Sequence, residues 1–228
     1  MAIKDNLLQI LAAIPEGVKL VVVSKTRTNE ELMEAYNAGQ RAFGENKVQE
    51  LLRKQQELPR DIEWHLIGHL QTNKVKSVIS YASLIHSVDS LKLLKVINRE
   101  AELAGIVVNC LLQVHIAREE TKFGFSMDEL LRDLDSEEFK SMANIKIKGL
   151  MGMATFTDNQ VQVREEFNSL HKIFDQLKAG FFKNNPDFKE LSMGMSDDYP
   201  IAIGEGSTLV RIGSKIFGPR IYPATNKI

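Results

Sequence analysis

The chain has little of what marks secreted, nucleic-acid-binding or membrane proteins. Its 228 residues include one cysteine, Cys110, so no intramolecular disulfide can form. This thiol lies in the apolar run IVVNCLLQV, which indicates a buried small hydrophobic residue. The 29 basic and 30 acidic residues leave a net charge of −1, which gives no general attraction to nucleic acid or anionic lipid. We therefore expect neither as a partner.

Long hydrophobic runs are also missing. No segment is long enough to span a bilayer, and the first residues, MAIKDNLLQILAAIPEG, lack the basic start and longer apolar core of a secretory signal. Their apolar positions recur at helical spacing and predict an amphipathic helix over about residues 3–14, ended by Pro15 and Gly17. Together with the single thiol, these features indicate a reducing, cytoplasmic compartment.

Short apolar segments alternate with helical segments along the whole chain. This alternation predicts one α/β domain over residues 1–228, with eight parallel strands. Eight strands close a (β/α)8 TIM barrel. A doubly wound open sheet is the alternative, but the chain has neither its GxGxxG loop nor a P-loop. The predicted strands are Val18–Lys25, Arg41–Asn46, Ile62–Ile67, Leu84–Ser87, Val107–His115, Ile145–Met153, Glu190–Met193 and Thr208–Ile212.

The helices between these strands carry recognisable start signals. Asp89 is a plausible N-cap, and Ser126 with Glu129 forms the pattern of a capping box. A last helical turn is expected near Ile216 and Phe217. The other predicted helices are 29–38, 47–57, 73–81, 89–104, 126–134, 161–179 and 197–203.

Lys25 ends the first strand, VKLVVVSK, at the place where α/β folds hold their ligands. An amine that is partly desolvated there loses some preference for its charged form and can act as a nucleophile. The alternative is a solvated lysine that opens the loop after the strand.

Two loops near the end of the chain have the composition of a phosphate site. A barrel frequently holds phosphate in the loops after strands seven and eight, which here are SMGMSDD (192–198) and RIGSKIFG (211–218). Gly194 and Gly213 allow close backbone approach, Ser196 offers a hydroxyl, and Asp197 is expected to open a helix whose free amides favour an anion. Simple turn and cap residues remain the alternative.

Other polar residues have ordinary interpretations as well as functional ones. Asp197 and Asp198 could form an acid/base pair, but acidic residues that complement a helix dipole are favoured. His65, His86 and His115 fall on or near strand ends, yet without ligand spacing or an accompanying carboxylate we expect no metal. Trp64 is interpreted as packing. The motif GHLQTNK (68–74) is either a helix cap or a ligand contact.

An amine on strand one, a phosphate cradle over strands seven and eight, and Arg211 between them would together suit a phosphorylated aldehyde. The lysine would be its Schiff-base partner, and an arginine at the pyridine nitrogen is one recognised arrangement for pyridoxal phosphate (PLP).

Motifs spread in order over nearly the whole chain resemble the pyridoxal phosphate homeostasis protein family, single-domain relatives of the amino-terminal barrel of alanine racemase. They are SKT (24–26), FGEN with QE (43–50), WHLIGHLQTNK (64–74), GLMGM (149–153), SMGMSDD (192–198) and STLVRIGSKIFGPR (207–220). The resemblance implies that Lys25 carries the internal aldimine of PLP. It also implies that Ser196, Gly213 and Ser214 hold the phosphate, that Arg211 faces the pyridine nitrogen, and that Asn46 lies against the cofactor.

An arginine at the ring nitrogen disfavours protonation there and weakens the ring as an electron sink. Alanine racemase also uses a tyrosine base from a carboxyl-terminal domain. This chain ends shortly after Arg220, and its tyrosines match no motif for that role: Tyr36, Tyr81, Tyr199 and Tyr222. We therefore expect a monomeric PLP carrier in vitamin B6 homeostasis without strong catalysis of its own, with PLP-dependent apo-enzymes as recipients. The alternatives are an amino-acid racemase or other Schiff-base enzyme, and an interaction protein with a vestigial site.

Lys122, in ETKFGF just past the fifth strand, is a second lysine expected on the carboxyl side of the barrel. It could take the aldehyde transiently during loading or hand-off. A surface lysine is the ordinary interpretation.

Overall fold

Eight parallel strands close into a barrel in the order β1 to β8. The computed structural model describes residues 2–119 and 123–219. The strands are β1 Lys19–Val23, β2 Ala42–Glu45, β3 Glu63–Leu66, β4 Ala82–Val88, β5 Val108–Gln113, β6 Ile145–Met151, β7 Glu190–Ser192 and β8 Leu209–Ile212. The predicted (β/α)8 barrel is confirmed, and the open sheet is wrong, because β8 pairs with β1 with Val21 opposite Arg211.

Helices surround the barrel, as the alternating sequence pattern requires. They are α1 Ile3–Ala13, α2 Asn29–Asn37, α3 Val48–Glu57, α4 Val75–Val78, α5 Leu91–Ala104, α6 Met127–Asp135, α7 Glu137–Lys140, α8 Gln160–Ala179, α9 Tyr199–Gly204 and α10 Ser214–Phe217. None of the helices within the described ranges has the length and apolar character needed to cross a bilayer.

The amino-terminal helix packs against the outside of the barrel. Leu7 and Ile10 are its buried residues, and the Asn6 side-chain amide donates to the Ile216 carbonyl at 2.9 Å. This contact joins α1 to α10, the short helix that follows β8. The helix predicted over about residues 3–14 is confirmed and ends one residue earlier, at Ala13.

Apolar side chains fill two separate layers. A large core lies between the strands and the helices, and a smaller one lies inside the barrel, where its members are Val21, Leu84, Leu111, Met151 and Leu209. Cys110 and Trp64 belong to the outer core, with the Trp64 ring 6.2 Å from that of Phe43. The predicted packing roles of both residues are confirmed.

Local signals placed some helix starts correctly and others wrongly. The capping box of Ser126 and Glu129 is present. Asp89 is not the N-cap of α5, because β4 continues to Val88 and Ser90 Oγ instead accepts the Leu93 amide at 3.3 Å. The Asp89 carboxylate meets His69 Nδ1 at 2.9 Å.

The helices after β3 and β7 are shorter than predicted, and a further helix, α7, was not predicted. The segment 73–81 forms a 3-10 turn over Thr72–Lys74 followed by the four-residue α4. The helix after β7 begins at Tyr199, because Asp198 has a non-helical backbone with φ −125° and ψ 1°. Helix α7 is a single turn capped by Ser136, too short for periodicity to reveal.

Candidate functional site

Lys25, Asn46 and Gly213 come together at the carboxyl ends of β1, β2 and β8. Val23 pairs with Gly44 of β2, and Val22 pairs with Ile212 of β8. Lys25 follows Val23 by two residues, as Asn46 follows Gly44, and Gly213 comes directly after Ile212. The site predicted across these strands is therefore assembled by pairing register.

Lys25 lies at the barrel mouth and is half-buried. Val21 belongs to the apolar layer inside the barrel, and Lys25 follows the end of β1 in a turn at the carboxyl side of the barrel. The lysine therefore lies where the sequence predicted it, at the carboxyl end of the first strand.

The loops after β7 and β8 meet at Ser196 and Gly213. The Gly213 amide donates to Ser196 Oγ at 3.4 Å, and the Ser196 side chain is buried. A Cβ at Gly213 would lie 2.9 Å from the Val23 carbonyl oxygen, so only glycine lets the backbone come this close to β1. Ser214 is exposed and begins α10. This set of hydroxyl and amide groups beside a lysine suits a phosphate monoester that carries an aldehyde.

Gly194 is a conformational requirement of the loop after β7. Its φ is +91°, and a Cβ there would lie 2.6 Å from Ala202 Cβ. The loop therefore packs directly on α9, which fixes the position of Ser196 two residues further on.

Arg211 points into the barrel and is 3% exposed. Its guanidinium donates to Ser192 Oγ at 2.6 Å and to the Gly152 carbonyl at 3.1 Å. Burial lowers its pKa to about 10, while the Asp198 carboxylate acts in the opposite direction. The side chain stays a cation at neutral pH, and its buried guanidinium has two hydrogen-bond acceptors.

Two histidines extend the contacts of Arg211 through the barrel. Ser192 Oγ lies 2.9 Å from His86 Nδ1, and His86 Nε2 lies 2.8 Å from His65 Nδ1. We call these four residues, Arg211, Ser192, His86 and His65, the interior column. Sequence reasoning had found His65 and His86 only as scattered strand-end histidines.

The interior column has one consistent direction of hydrogen bonding. Arg211 can only donate to Ser192 Oγ, and among the described contacts the acceptor for the Ser192 hydroxyl proton is His86 Nδ1. A neutral His86 then carries its proton on Nε2 and donates it to His65 Nδ1. Burial lowers the pKa of His65 to about 4 and that of His86 well below its usual value, with Lys19 adding to the first effect and His65 and Arg211 to the second. Both rings are therefore neutral at physiological pH.

A buried group of charges lies on the other side of β1 and β2, beneath α3. Lys54 Nζ donates to the Ser24 carbonyl at 2.7 Å and to the carboxylates of Glu45 and Glu50, both at 2.8 Å. Ser24 Oγ donates to the same Glu45 oxygen at 2.6 Å. We call Ser24, Glu45, Glu50 and Lys54 the ion cluster.

The ion cluster was missed from the sequence, although a signal for it exists. Lys54 stands three residues after Leu51 and six after Val48, so it falls on the apolar face of α3, and all three are buried. A charged residue at such a position requires a buried partner.

Gly68 fixes the backbone of Asn46. A Cβ at Gly68 would lie 2.3 Å from the Asn46 carbonyl oxygen, so any side chain there would displace Asn46. Ser87 Oγ donates to the Gly68 carbonyl. Within GHLQTNK, the role of Gly68 is therefore close backbone packing.

Asp197 and Asp198 precede α9, so the prediction that they form its first turn is wrong. Asp198 is the N-cap residue, and its carboxylate accepts the Met195 amide. Burial raises the pKa of Asp198, against the effect of that amide and of Arg211. Asp197 is exposed.

Two clefts of opposite charge flank the site. One, of about 540 Å³, lies beside Asn46 and is lined by Lys47, His69 and Lys74. The other, of about 440 Å³, is lined by Asp158, Asp197 and Asp198 together with apolar residues that include Met195. The barrel mouth therefore has a basic side and an acidic side.

His115 does not join the site. His115 Nε2 lies 2.8 Å from the Glu119 carbonyl oxygen, an ordinary loop contact. Within residues 2–119 and 123–219, no three His, Cys, Asp or Glu side chains are grouped so as to hold a metal ion. Lys122, Arg220 and Tyr222 lie outside the described residues.

Fold and site together define a parallel (β/α)8 barrel with a lysine, two glycine- and serine-containing loops and a buried arginine at the carboxyl ends of its strands. The family model described as "Alanine racemase, N-terminal domain" matches residues 1–221. A pyridoxal phosphate homeostasis protein of Helicobacter pylori strain 26695 is 43% identical over 202 residues, which cover 88% of this chain and 87% of that protein. The chain belongs to the pyridoxal phosphate homeostasis protein family, which has the barrel of the alanine racemase amino-terminal domain.

Solved structures agree with this assignment. PipY of Synechococcus elongatus PCC7942, solved with PLP bound, is 35% identical with a TM-score of 0.85 over 95% of this chain and 100% of that chain. Alanine racemase of Clostridium difficile 630 has a TM-score of 0.75 at 16% identity, over 98% of this chain and 57% of that chain. The likeness to the racemase is one of fold.

Proposed function

We propose that this chain binds PLP through a covalent bond between its aldehyde carbon and Lys25 Nζ, and that it acts in PLP homeostasis as a carrier. One observation carries this proposal. The register of β1, β7 and β8 brings together a half-buried lysine, the Ser196–Gly213 pair and the buried Arg211. Family membership and a relative solved with PLP bound support the same ligand.

Each predicted residue has a defined part in this proposal. Ser196, Gly213 and Ser214 hold the phosphate through hydroxyl and amide donors, Arg211 faces the pyridine nitrogen, and Asn46 lies against the ring. Bound PLP supplies an aldehyde that bonds reversibly to amines and a ring that withdraws electrons from that bond. Arg211 is held as a cation by its buried acceptors, so it does not protonate the ring nitrogen, and the electron-withdrawing power of the ring stays low.

The carrier role is favoured over racemase chemistry by the positions of the described tyrosines. Tyr36 hydrogen-bonds Asp61 just before β3, and Tyr81 directly precedes β4, so both lie at the opposite end of the barrel. Tyr199 is buried, with Lys215 Nζ 5.1 Å from its ring centre. A racemase needs a second base at the cofactor, and none of these three is presented there.

The first test is the visible spectrum of the purified protein with PLP, before and after borohydride, followed by peptide mapping. We expect a yellow band that is trapped on the peptide containing Lys25 and is abolished in Lys25→Ala. The exposed Lys47→Ala, beside the same mouth, is the matched control and should behave as wild type. A protein that stays colourless with added PLP would contradict the proposal.

A second test separates the carrier from the enzyme. Amino acids incubated with the PLP-loaded protein in deuterium oxide should keep their α-proton, because ring activation is weak and none of the three described tyrosines is presented to the cofactor. Steady α-proton exchange that depends on Lys25 would overturn the carrier assignment.

We further propose that residues 1–228 form one domain, that the protein is a cytoplasmic monomer, and that PLP-dependent apo-enzymes receive its cofactor. The support is the continuous barrel and the open mouth at Ser214 and Lys25. Sizing by light scattering tests the monomer. Transfer of PLP to an apo-enzyme faster than from an equal concentration of free PLP tests the hand-off.

A further inference from the structure

The ion cluster holds the backbone on both sides of Lys25. Lys54 Nζ binds the carbonyl of Ser24, the residue before Lys25, at 2.7 Å. The Glu50 oxygen that binds Lys54 also accepts the amide of Thr26, the residue after Lys25, at 2.7 Å. The two flanking residues are therefore tied to α3 through one buried ammonium group.

Lys54 itself cannot act as a nucleophile. It is fully buried, and its ammonium protons are matched by the three oxygens of Ser24, Glu45 and Glu50. A protonated amine with all donors engaged has no lone pair with which to attack a carbonyl carbon. The structure thus separates two neighbouring lysines into one that supports the chain and one that reaches the mouth.

The ion cluster places charges in the core, where desolvation costs free energy. Desolvation of buried charges offsets most of their attraction, and apolar residues of similar volume often stabilise a protein equally well. Glu45 Oε2 is buried and has no hydrogen-bond partner among the described residues, and burial raises the pKa of this carboxyl against the effect of Lys54. Stability alone does not account for these charges.

Thr26 shows that the segment is constrained. Its φ is +66°, the only positive value at a non-glycine residue in the described part of the chain. Such a conformation persists where the surroundings determine it, and here the Glu50 hydrogen bond to the Thr26 amide does so.

We propose that Lys54, Glu45 and Glu50 are positioning residues that hold the Ser24–Thr26 segment so that Lys25 Nζ meets the aldehyde carbon of PLP. This inference rests on the proposed function. In the step that they assist, the neutral Lys25 amine bonds to the aldehyde carbon, its two N–H protons pass to the carbonyl oxygen, and that oxygen leaves as water. The proposed phosphate contacts follow other strands, β7 and β8, and none of the described hydrogen bonds of the ion cluster reaches Ser196, Gly213 or Ser214.

The test compares two ligands on the same variants. PLP can bond to Lys25, whereas pyridoxamine 5′-phosphate has no aldehyde and reports only the phosphate and ring contacts. Lys54→Met should weaken the affinity for PLP by about tenfold, the equivalent of a lost hydrogen bond, and change that for pyridoxamine 5′-phosphate by less than about twofold. The fraction of bound PLP that borohydride traps on Lys25 should fall in parallel.

Two further variants make the comparison decisive. Lys148→Met removes a lysine that pairs with Asp187 at 2.7 Å near the opposite end of the barrel, and it should leave both affinities unchanged. Glu50→Ala removes the Thr26 contact from a side chain that is 17% exposed, so it tests the proposal even where Lys54→Met does not fold. It should weaken PLP binding several-fold and spare pyridoxamine 5′-phosphate.

The outcomes are distinguishable from failure of the proposed function. If wild type traps no PLP on Lys25, the function itself is wrong, and the inference falls with it. If wild type traps PLP but the variants keep it equally well, or lose both ligands together, the ion cluster is only structural and the positioning role is overturned.

Discussion

The interior column and the ion cluster are both buried and polar, and both end at the site, yet they are built differently. The interior column lies inside the barrel, carries one cation at Arg211, and continues through neutral groups with a single hydrogen-bond direction. The ion cluster lies outside the barrel wall and gathers a lysine and two carboxylates around one backbone segment.

This difference shows two ways of fixing a functional group in a barrel. The interior column orients a side chain, Arg211, by meeting its donors with neutral acceptors, which adds no further charge to the interior. The ion cluster orients a stretch of backbone. This requires several hydrogen bonds that converge on one segment, and it requires the desolvation of three ionic groups. We therefore expect them to differ in how they respond to single substitutions and to pH.

Lys54→Met should produce the largest change. It leaves the fully buried Glu45 carboxylate without its cation, and breaking a buried pair costs about 3–5 kcal/mol of the free energy of unfolding. The double variant Lys54→Met/Glu45→Met should recover most of that stability without restoring PLP trapping on Lys25. Urea unfolding measures the first effect and borohydride trapping the second. Recovery of both would show that the ion cluster contributes stability alone.

Ser192→Ala should cost less, because it breaks the interior column at a neutral group. The change removes one acceptor from the Arg211 guanidinium, which keeps the Gly152 carbonyl, and it removes the Ser192 partner of His86 Nδ1. The two losses together cost about 2–3 kcal/mol. Ala154, a small buried residue near the same loops, provides Ala154→Gly as a control for simple loss of packing. A Ser192→Ala protein with wild-type urea resistance would mean that the interior column does not hold Arg211.

Lowering the pH should change the free energy of unfolding in opposite directions through the interior column and the ion cluster. His65 has a folded-state pKa of about 4, below the ordinary value of 6.5, so its contribution is complete above pH 6.5 and is lost as the pH falls towards 4. From pH 7 to pH 5 this loss is about 2 kcal/mol. Burial raises the pKa of Glu45, so its protonation favours the folded state as the pH falls and acts in the opposite direction.

Comparing wild type with His65→Gln isolates the effect of the histidine, because the carboxylates contribute equally to the free energy of unfolding of both proteins and cancel in the difference. Wild type should lose about 2 kcal/mol more than the variant between pH 7 and pH 5, as measured by urea unfolding at each pH. Equal slopes would show that His65 is not held neutral.

Thr26→Gly should have the smallest effect. Glycine adopts the +66° φ without strain, but it loses more chain entropy on folding, so the two effects leave a net change below about 1 kcal/mol. If the ion cluster positions Lys25 through this residue, the trapped fraction of PLP should fall slightly while the melting temperature hardly changes. A rise in trapping would show that the Thr26 conformation works against the lysine.

The sequence predicted the barrel, the placement of Lys25 and the positions of the loops after β7 and β8 because each depends on local pattern. Apolar runs of strand length, turn glycines and helix periodicity are properties of neighbouring residues. Where neighbours were ambiguous the predictions failed: Asp89 and Ser90 both can cap a helix, and the end of β4 decided between them.

Both buried polar systems depend on residues that are distant in sequence. Ser192 and His86 are 106 positions apart, and Lys54 is 30 positions from Ser24. Their hydrogen bonds exist because barrel closure and the packing of α3 bring these groups together, and no periodicity records a contact across the barrel. A lysine on the apolar face of α3 was a local sign that a partner was needed, but not which one.

The order of strands and helices follows from the sequence alone, because local chemistry sets it. The same holds for the presence of a lysine, a glycine- and serine-containing loop and an arginine at strand ends. The tertiary structure alone decided which lysine is buried and which reaches the mouth, and which tautomers the histidines adopt. The physical reason is that desolvation and hydrogen-bond pairing depend on the surroundings in three dimensions, which exist only when the barrel is closed.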